Sequence, residues 1–315
     1  MSKLNITILL TTALVFGVIA GLLGLILLYA GFTGETAMGL WIFISLFFIF
    51  MQWLIGPWLI KMMTGAKEIK VEDAPEIHQM LSEISKTAGI PKPKLYIVNR
   101  NDPNAFAFGR TQGSSCVALH KGLIDILTKE ELRAVIAHEV GHIKHRDVTI
   151  MTIASSLPTI LYYMVILFAP RNREGNSIIQ LIMVFVGGLI AQFIGVLLVM
   201  WLSRTREYYA DEFSARATGN PLSLITGLSK ITYKTVPLTN ERDKSFKTLY
   251  ISDPSKGEGN EIMEIAKAIN SDNAEKIEEM IEMEKYKHGK KEWLMTHPIT
   301  AKRLERLWKI KKDLL

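Results

Sequence analysis

The chain has 315 residues, room for one large domain or two small ones, and a formal net charge of +6. Hydrophobic residues make up 49% of it, but they gather in uncharged blocks and are not spread as a water-soluble core would spread them, which sets a wholly soluble fold aside. The surplus of Lys and Arg needs no nucleic-acid partner, since no basic stripe with interleaved aromatics occurs, and the single cysteine, Cys116, excludes an intramolecular disulfide.

The first block, Ile6 to Tyr29, and the second, Ala37 to Ile60, are each about 24 residues long, where roughly 20 helical residues cross a bilayer. Glu35 is the charge in the short loop between them. The first block exceeds the roughly 7–15 residues of a signal-peptide core and a second block follows it, so it reads as an uncleaved anchor. In the charged stretch 61–147, APEIHQMLSEISKTAGI predicts an amphipathic helix with Ile77, Leu81 and Ile84 on one face, closed by Gly89 before Pro91. KLYIV, NAFAFG and SCVALH are strand-like, and Cys116 is expected as a small buried apolar residue. TKEELRAVIAHEVGHIKHRD is helical again, with Thr128 as cap and Glu131 three residues on, a capping box.

A third uncharged block, Val148 to Pro170, and a fourth, Ser177 to Ser203, are joined by RNREGN. Four spans return the charged segments 61–147 and 204–315 to the same side. Lys3, Lys61, Lys67, Lys70, Lys144, Arg204 and Arg206 collect at the span ends facing that side, which makes it cytoplasmic, although Arg171 and Arg173 in the opposite loop run against the rule. SRTREYYADEFSARATG continues as a helix to near Gly219, where Asn220 and Pro221 bar continuation. Residues 236–260 read as a loop, EIMEIAKAINSDNAEKIEEMIEMEKYKHGKK as charged helix with a break at SDN, and HPITAKRLERLWKIKKDLL as a final helix that Pro298 starts at its first turn.

The chemistry is concentrated in HEVGH. Residues four apart on a helix stack one above the other, so His138 and His142 present two imidazoles on one face, a geometry that suits zinc. Glu139 is turned away by about 100°, which places its carboxylate beside the metal and free to take a proton from a zinc-bound water. A catalytic zinc needs a third protein ligand, and EYYAD supplies Glu207 and Asp211 one helical turn apart at the level where the fourth block ends. One can bind zinc while the other orients a ligand. His145 reads as solvated or facing lipid headgroups, His78 and His120 as satisfied polar residues, and Met280 and Met283 as packing.

HEVGH before a span, EYYAD after the next, NAFAFG upstream and THP near the C-terminus together resemble the integral-membrane zinc endopeptidases of the HtpX type, relatives of the CAAX prenyl proteases. The resemblance covers most of the chain apart from about 236–290. It implies an α-rich membrane protein: four transmembrane helices with a cytoplasmic α+β zinc-peptidase domain of the gluzincin kind. Two spans would fall in 1–60, the first catalytic half in 61–147, two more spans in 148–203, and the second half, with the third ligand, in 204–315. It implies one Zn2+ per chain held by His138, His142 and Glu207, with Asp211 in support. It further implies that Asn104, Ala105, Phe106, Ala107, Phe108 and Gly109 form an edge strand along which substrate is laid, which agrees with the grip a free strand edge has on an extended peptide. His297 and Arg303 match its H-P-x-x-x-x-R pattern: the imidazole would donate to the oxyanion of the tetrahedral intermediate and Arg303 would position the carboxylates. The function implied is hydrolysis of misfolded or damaged membrane proteins in the cell's inner membrane, with the lipid bilayer and those substrates as partners. Alternatives are a CAAX prenyl-type protease, which would need a lipid-sized chamber among more than four spans, and an inactive scaffold, against which the intact Glu139 argues.

Overall fold

A computed structural model describes residues 31, 34–168, 178–234, 259–271 and 274–314. The first apolar block, the loop RNREGN and most of 236–260 lie outside the described residues. The fold is mostly helical with one small sheet, and the chain divides into two compact units, Met1–Leu54 with Ile150–Leu202 and Ile55–Thr149 with Ser203–Leu315.

The second and fourth apolar blocks lie in long helices. Helix α1, Gly34–Thr64, covers the second block in 31 residues. The third block is not one unbroken helix. It divides into α5, Asp147–Ala154, and α6, Leu157–Phe168. Pro158 explains the break, because it has no N–H to offer the carbonyl four residues back and its ring crowds that carbonyl. The hydroxyls of Ser155 and Ser156 turn back onto the carbonyls of Thr152 and Ile153, each at 2.7 Å. The fourth block opens α7, Ile178–Thr218, a helix of 41 residues. Among the described residues its stretch Ile182–Thr218 is the one long and apolar enough to cross a membrane. Ile182, Met183, Phe185, Ile190 and Trp201 on it are each more than half exposed, which water would penalise.

In the second unit, β1 (Lys67–Glu68), β2 (Lys94–Val98), β3 (Ala105–Phe108) and β4 (Cys116–His120) form a sheet in the order β1-β2-β4-β3. β2 runs parallel to β4 and the other two pairs are antiparallel, so β3 is an edge strand. Strand side chains alternate between faces, and both faces are buried here. Leu95, Ala105, Val117 and Leu119 join the main core, while Tyr96, Val98, Phe106, Phe108 and Ala118 pack together on the opposite side with the buried Cys116.

Helices cover the main-core face. Helix α2, Pro75–Ala88, ends as expected at Gly89, whose φ of 72° suits the left-handed cap. It is followed by α3, Lys121–Ile126, and by α4, Lys129–Lys144, which carries HEVGH. Beyond α7 come α8 (Pro221–Lys234), α9 (Gly259–Asn270) and α10 (Ala274–His288), the last two separated around SDN. The final helix, α11, spans Thr300–Leu314, so Pro298 precedes the helix and does not sit in its first turn. Val135 and Ile136 of α4 pack in one core with Leu224 and Leu228 of α8 and with Leu304, Leu307 and Trp308 of α11.

Candidate active site

The Thr128 capping box starts α4: the Thr128 hydroxyl accepts the Glu131 N–H at 3.3 Å, and the Glu131 carboxylate accepts the Thr128 N–H at 2.9 Å. Two and a half turns on, His138 and His142 meet edge to face, with ring centroids 4.7 Å apart and Nε2 atoms 3.1 Å apart. Helix α7 brings Glu207 against them, its carboxylate oxygens 3.6 Å from each Nε2. A glycine lets the helices come this close. A Cβ on Gly141 would lie 3.1 Å from the Ala210 Cα and 3.2 Å from a Phe213 ring carbon, tighter than side chains normally approach.

The three donor atoms lie within 4.8 Å of one another. Tetrahedral zinc with bonds of about 2.0–2.2 Å would hold its ligands roughly 3.3–3.6 Å apart, so the triangle has the right size. The charges agree as well. Glu139, Asp147, Glu207 and Asp211 are buried carboxylates at the site, faced by the guanidiniums of Arg206 and Arg303. Burial opposes ionisation of Glu207, yet His297, His138 and Arg303 hold its carboxyl well below the usual range. Burial likewise disfavours a charged His138, but Asp211 and Glu207 push it up to about 9. His142 goes the other way, lowered by burial and by its neighbour His138.

Asp211 stands behind His138, with Oδ1 3.0 Å from Nδ1 but off the ideal hydrogen-bond direction. Arg303 grips Asp211 with a two-pronged contact, Nε to Oδ2 at 2.8 Å and Nη2 to Oδ1 at 2.7 Å, and extends Nη1 to 3.3 Å from Glu207. His297 Nδ1 lies 3.3 Å from the other Glu207 oxygen. The loop bearing His297 is pinned at both ends. Arg204 donates to the Met295 carbonyl at 2.6 Å, and Glu292 accepts the Ile299 N–H at 3.3 Å together with the Lys302 ammonium.

Glu139 is buried, and desolvation raises its pKa against the opposing pull of His142 and His138. The backbone of β3 at Ala107 faces it and favours its charged form. The His120 N–H donates to the Asn104 carbonyl at 2.9 Å, which makes Asn104 and His120 a hydrogen-bonded pair. The alternation of an antiparallel ladder then turns Phe106 and Phe108 toward β4 and points the backbone groups of Ala105 and Ala107 to the free edge. Asn104 and Gly109 flank the strand. Gly109 has φ 148°, and a Cβ there would come within 2.8 Å of the Ser114 carbonyl oxygen, so its place is a turn only glycine fits.

One sequence reading is corrected. His145 caps the C-terminus of α4 and is half-buried, not solvated, with its ring against Tyr209 and Phe213 at 5.9 and 6.4 Å. The Tyr209 and Phe213 rings, a few residues along α7 from Glu207, supply an apolar shelf that solvent would not. His120 is buried with Nδ1 3.0 Å from the Asp102 carbonyl, a satisfied polar residue. The sequence reading missed Asp147, whose Oδ2 accepts from His142 Nδ1 at 2.7 Å, and the uses found for Arg204 and Arg206, read there as charges at a membrane edge. The available signal was a lone carboxylate at the mouth of an apolar block, five residues after a candidate ligand.

Comparison with known proteins gives a consistent answer. The model of peptidase family M48 matches residues 72–311. The protease HtpX homolog of Methanothermobacter thermautotrophicus is 38% identical over 245 residues, covering 77% of this chain and 91% of the relative. That of Aquifex aeolicus is 33% identical over 302 residues, covering 92% of this chain and 90% of the relative. The crystal structure of S. mikatae Ste24p shares the fold at 18% identity with a TM-score of 0.54, covering 98% of this chain and 67% of that one.

Proposed function

The chain belongs to peptidase family M48 and is a metallopeptidase, and from this we propose a zinc endopeptidase working at the membrane surface, with one zinc per chain held by His138, His142 and Glu207. The observation that carries the reading is the juxtaposition of three converging ligand atoms with a buried carboxylate, Glu139, on the same helix as two of them and beside the Ala107 backbone of an edge strand. When bound, zinc supplies Lewis acidity that brings the pKa of a water down to about 7. Glu139 takes the proton from the attacking water and returns it to the leaving amine, a task its burial favours. Asp211 orients His138, and Arg303 fixes Asp211 and the Glu207 carboxylate. His297 donates to the developing oxyanion. An extended substrate lies along β3 and pairs with the free groups of Ala105, in a mode that reads backbone with little choice of side chain.

The second unit then faces the cytoplasm and four spans anchor it in the cell's inner membrane, a topology supported by Lys61 in the last turn of α1, by Lys67 and Lys70 just after it, and by the exposed apolar surface of α7. Substrates are unfolded or damaged membrane proteins, whose backbone is open to strand addition. The test compares purified wild type with Glu139→Gln in detergent, by zinc content and by cleavage of an unfolded protein such as casein. The variant is expected to keep zinc and to lose hydrolysis by several orders of magnitude; a variant as active as wild type sinks the reading.

A further inference from the structure

The contact between His142 and Asp147 is shorter and better aligned than that between His138 and Asp211, and the chain departs from regular geometry to make it. In an unbroken helix, Asp147 would stand about 140° around the axis from His142 and point elsewhere. Here α4 ends at Lys144, and Arg146 takes a left-handed conformation with φ 57°, the one non-glycine positive φ among the described residues. Such a conformation is strained for a residue with a side chain and persists only where the surroundings enforce it. The surroundings do enforce it. Gln112 Nε2 donates to the Lys144 carbonyl at 2.9 Å, and Arg206 donates to the His145 carbonyl at 2.5 Å, so the broken helix end is satisfied from two other elements. The same Arg206 guanidinium bonds Asp147 Oδ1.

We infer that Asp147, held by Arg206, is a positioning residue that fixes His142 as a metal ligand; the inference rests on the zinc-site reading above. A carboxylate only accepts, so Nδ1 of His142 carries the proton and Nε2 turns its lone pair toward Glu207 and His138. Each histidine then has its own carboxylate and each carboxylate its own guanidinium: Asp211 with Arg303, Asp147 with Arg206. The second pair comes from the start of α5 and from α7, so the order of the metal site depends on where the third apolar block begins.

The test measures Zn2+ affinity of the full chain in detergent by competition with a chromophoric chelator. Asp147→Asn is expected to bind zinc 10–100-fold more weakly, the usual consequence of losing a partner behind a ligand. Glu131→Gln is the structural control: it weakens the ion pair of an equally buried carboxylate, to the more exposed Lys230, on the helix that carries His142 but far from it, and should leave the affinity unchanged. Asp147→Glu guards against a folding failure, since it keeps a charge beside Arg206 while shifting the carboxylate by a methylene from Nδ1; weaker binding is expected there too. Wild-type affinity in both Asp147 variants, or a loss no larger than in Glu131→Gln, overturns the assignment. A wild-type chain that takes up no zinc overturns the metal-site reading itself, and this inference with it.

Discussion

Two buried carboxylates one helix apart are pushed in opposite directions at this site. Glu139 is raised by burial, whereas Glu207 is held down by His297, His138 and Arg303, and such a divergence separates a proton carrier from a permanently charged ligand. Glu207→Ala is therefore expected to release the metal, since two protein ligands make an incomplete site, while fold is retained; zinc analysis after dialysis checks it. Full zinc occupancy in that variant would reassign the third ligand. For His297→Phe the expectation is a kcat lowered by about 10²–10³ with zinc affinity and KM nearly unchanged, the pattern of deleting one oxyanion donor. Steady-state kinetics beside a zinc titration read both, and lost zinc would move His297 into the ligand set. At this scale HEVGH and EYYAD were legible because spacing on a helix sets which side chains are neighbours. Asp147 was not, because its approach to His142 exists only through the break at Arg146.

Among elements, the decisive contact is α4 against α7, where Gly141 meets Ala210 and Phe213. Ser214 adds a hydroxyl bond to the Ala134 carbonyl at 2.7 Å, which sets the depth of that packing. Gly141→Val should push the helices apart, and because ligand geometry tolerates only about 0.2 Å, zinc affinity should fall at least about tenfold even where the protein folds. Chelator competition together with thermal unfolding separates the two effects, and wild-type affinity in this variant would mean the helices do not set the ligand spacing. The third apolar block shows the limit of reading elements by composition. Hydropathy is indifferent to the missing N–H of Pro158, whereas the helix is not, and α5 and α6 part at Ser155 and Ser156.

For the whole molecule the open quantity is sidedness. In a chain with Cys116→Ala, which removes the one native thiol, a cysteine placed at Glu35 or Asn176 should react with an impermeant reagent from outside intact cells and one at Ser255 should not. External labelling at Ser255 would place the peptidase unit on the other face.

The sequence by itself determined the apolar blocks, the capped helix carrying His138, Glu139 and His142, the helix carrying Glu207 and Asp211, and β2, β3 and β4 as strands. Each of these follows from periodicity or spacing within a few turns of chain, where backbone geometry alone decides the neighbours. That β3 is an edge strand was implied by the family resemblance alone, and the pairing behind it is tertiary: β2 runs parallel to β4 and leaves β3 one partner. Only the tertiary structure decided that Arg204 and Glu292 pin the His297 loop and that Asp147 turns back beneath His142. These contacts join residues across loops or across a broken helix, and their existence depends on how distant faces pack, which no local pattern records.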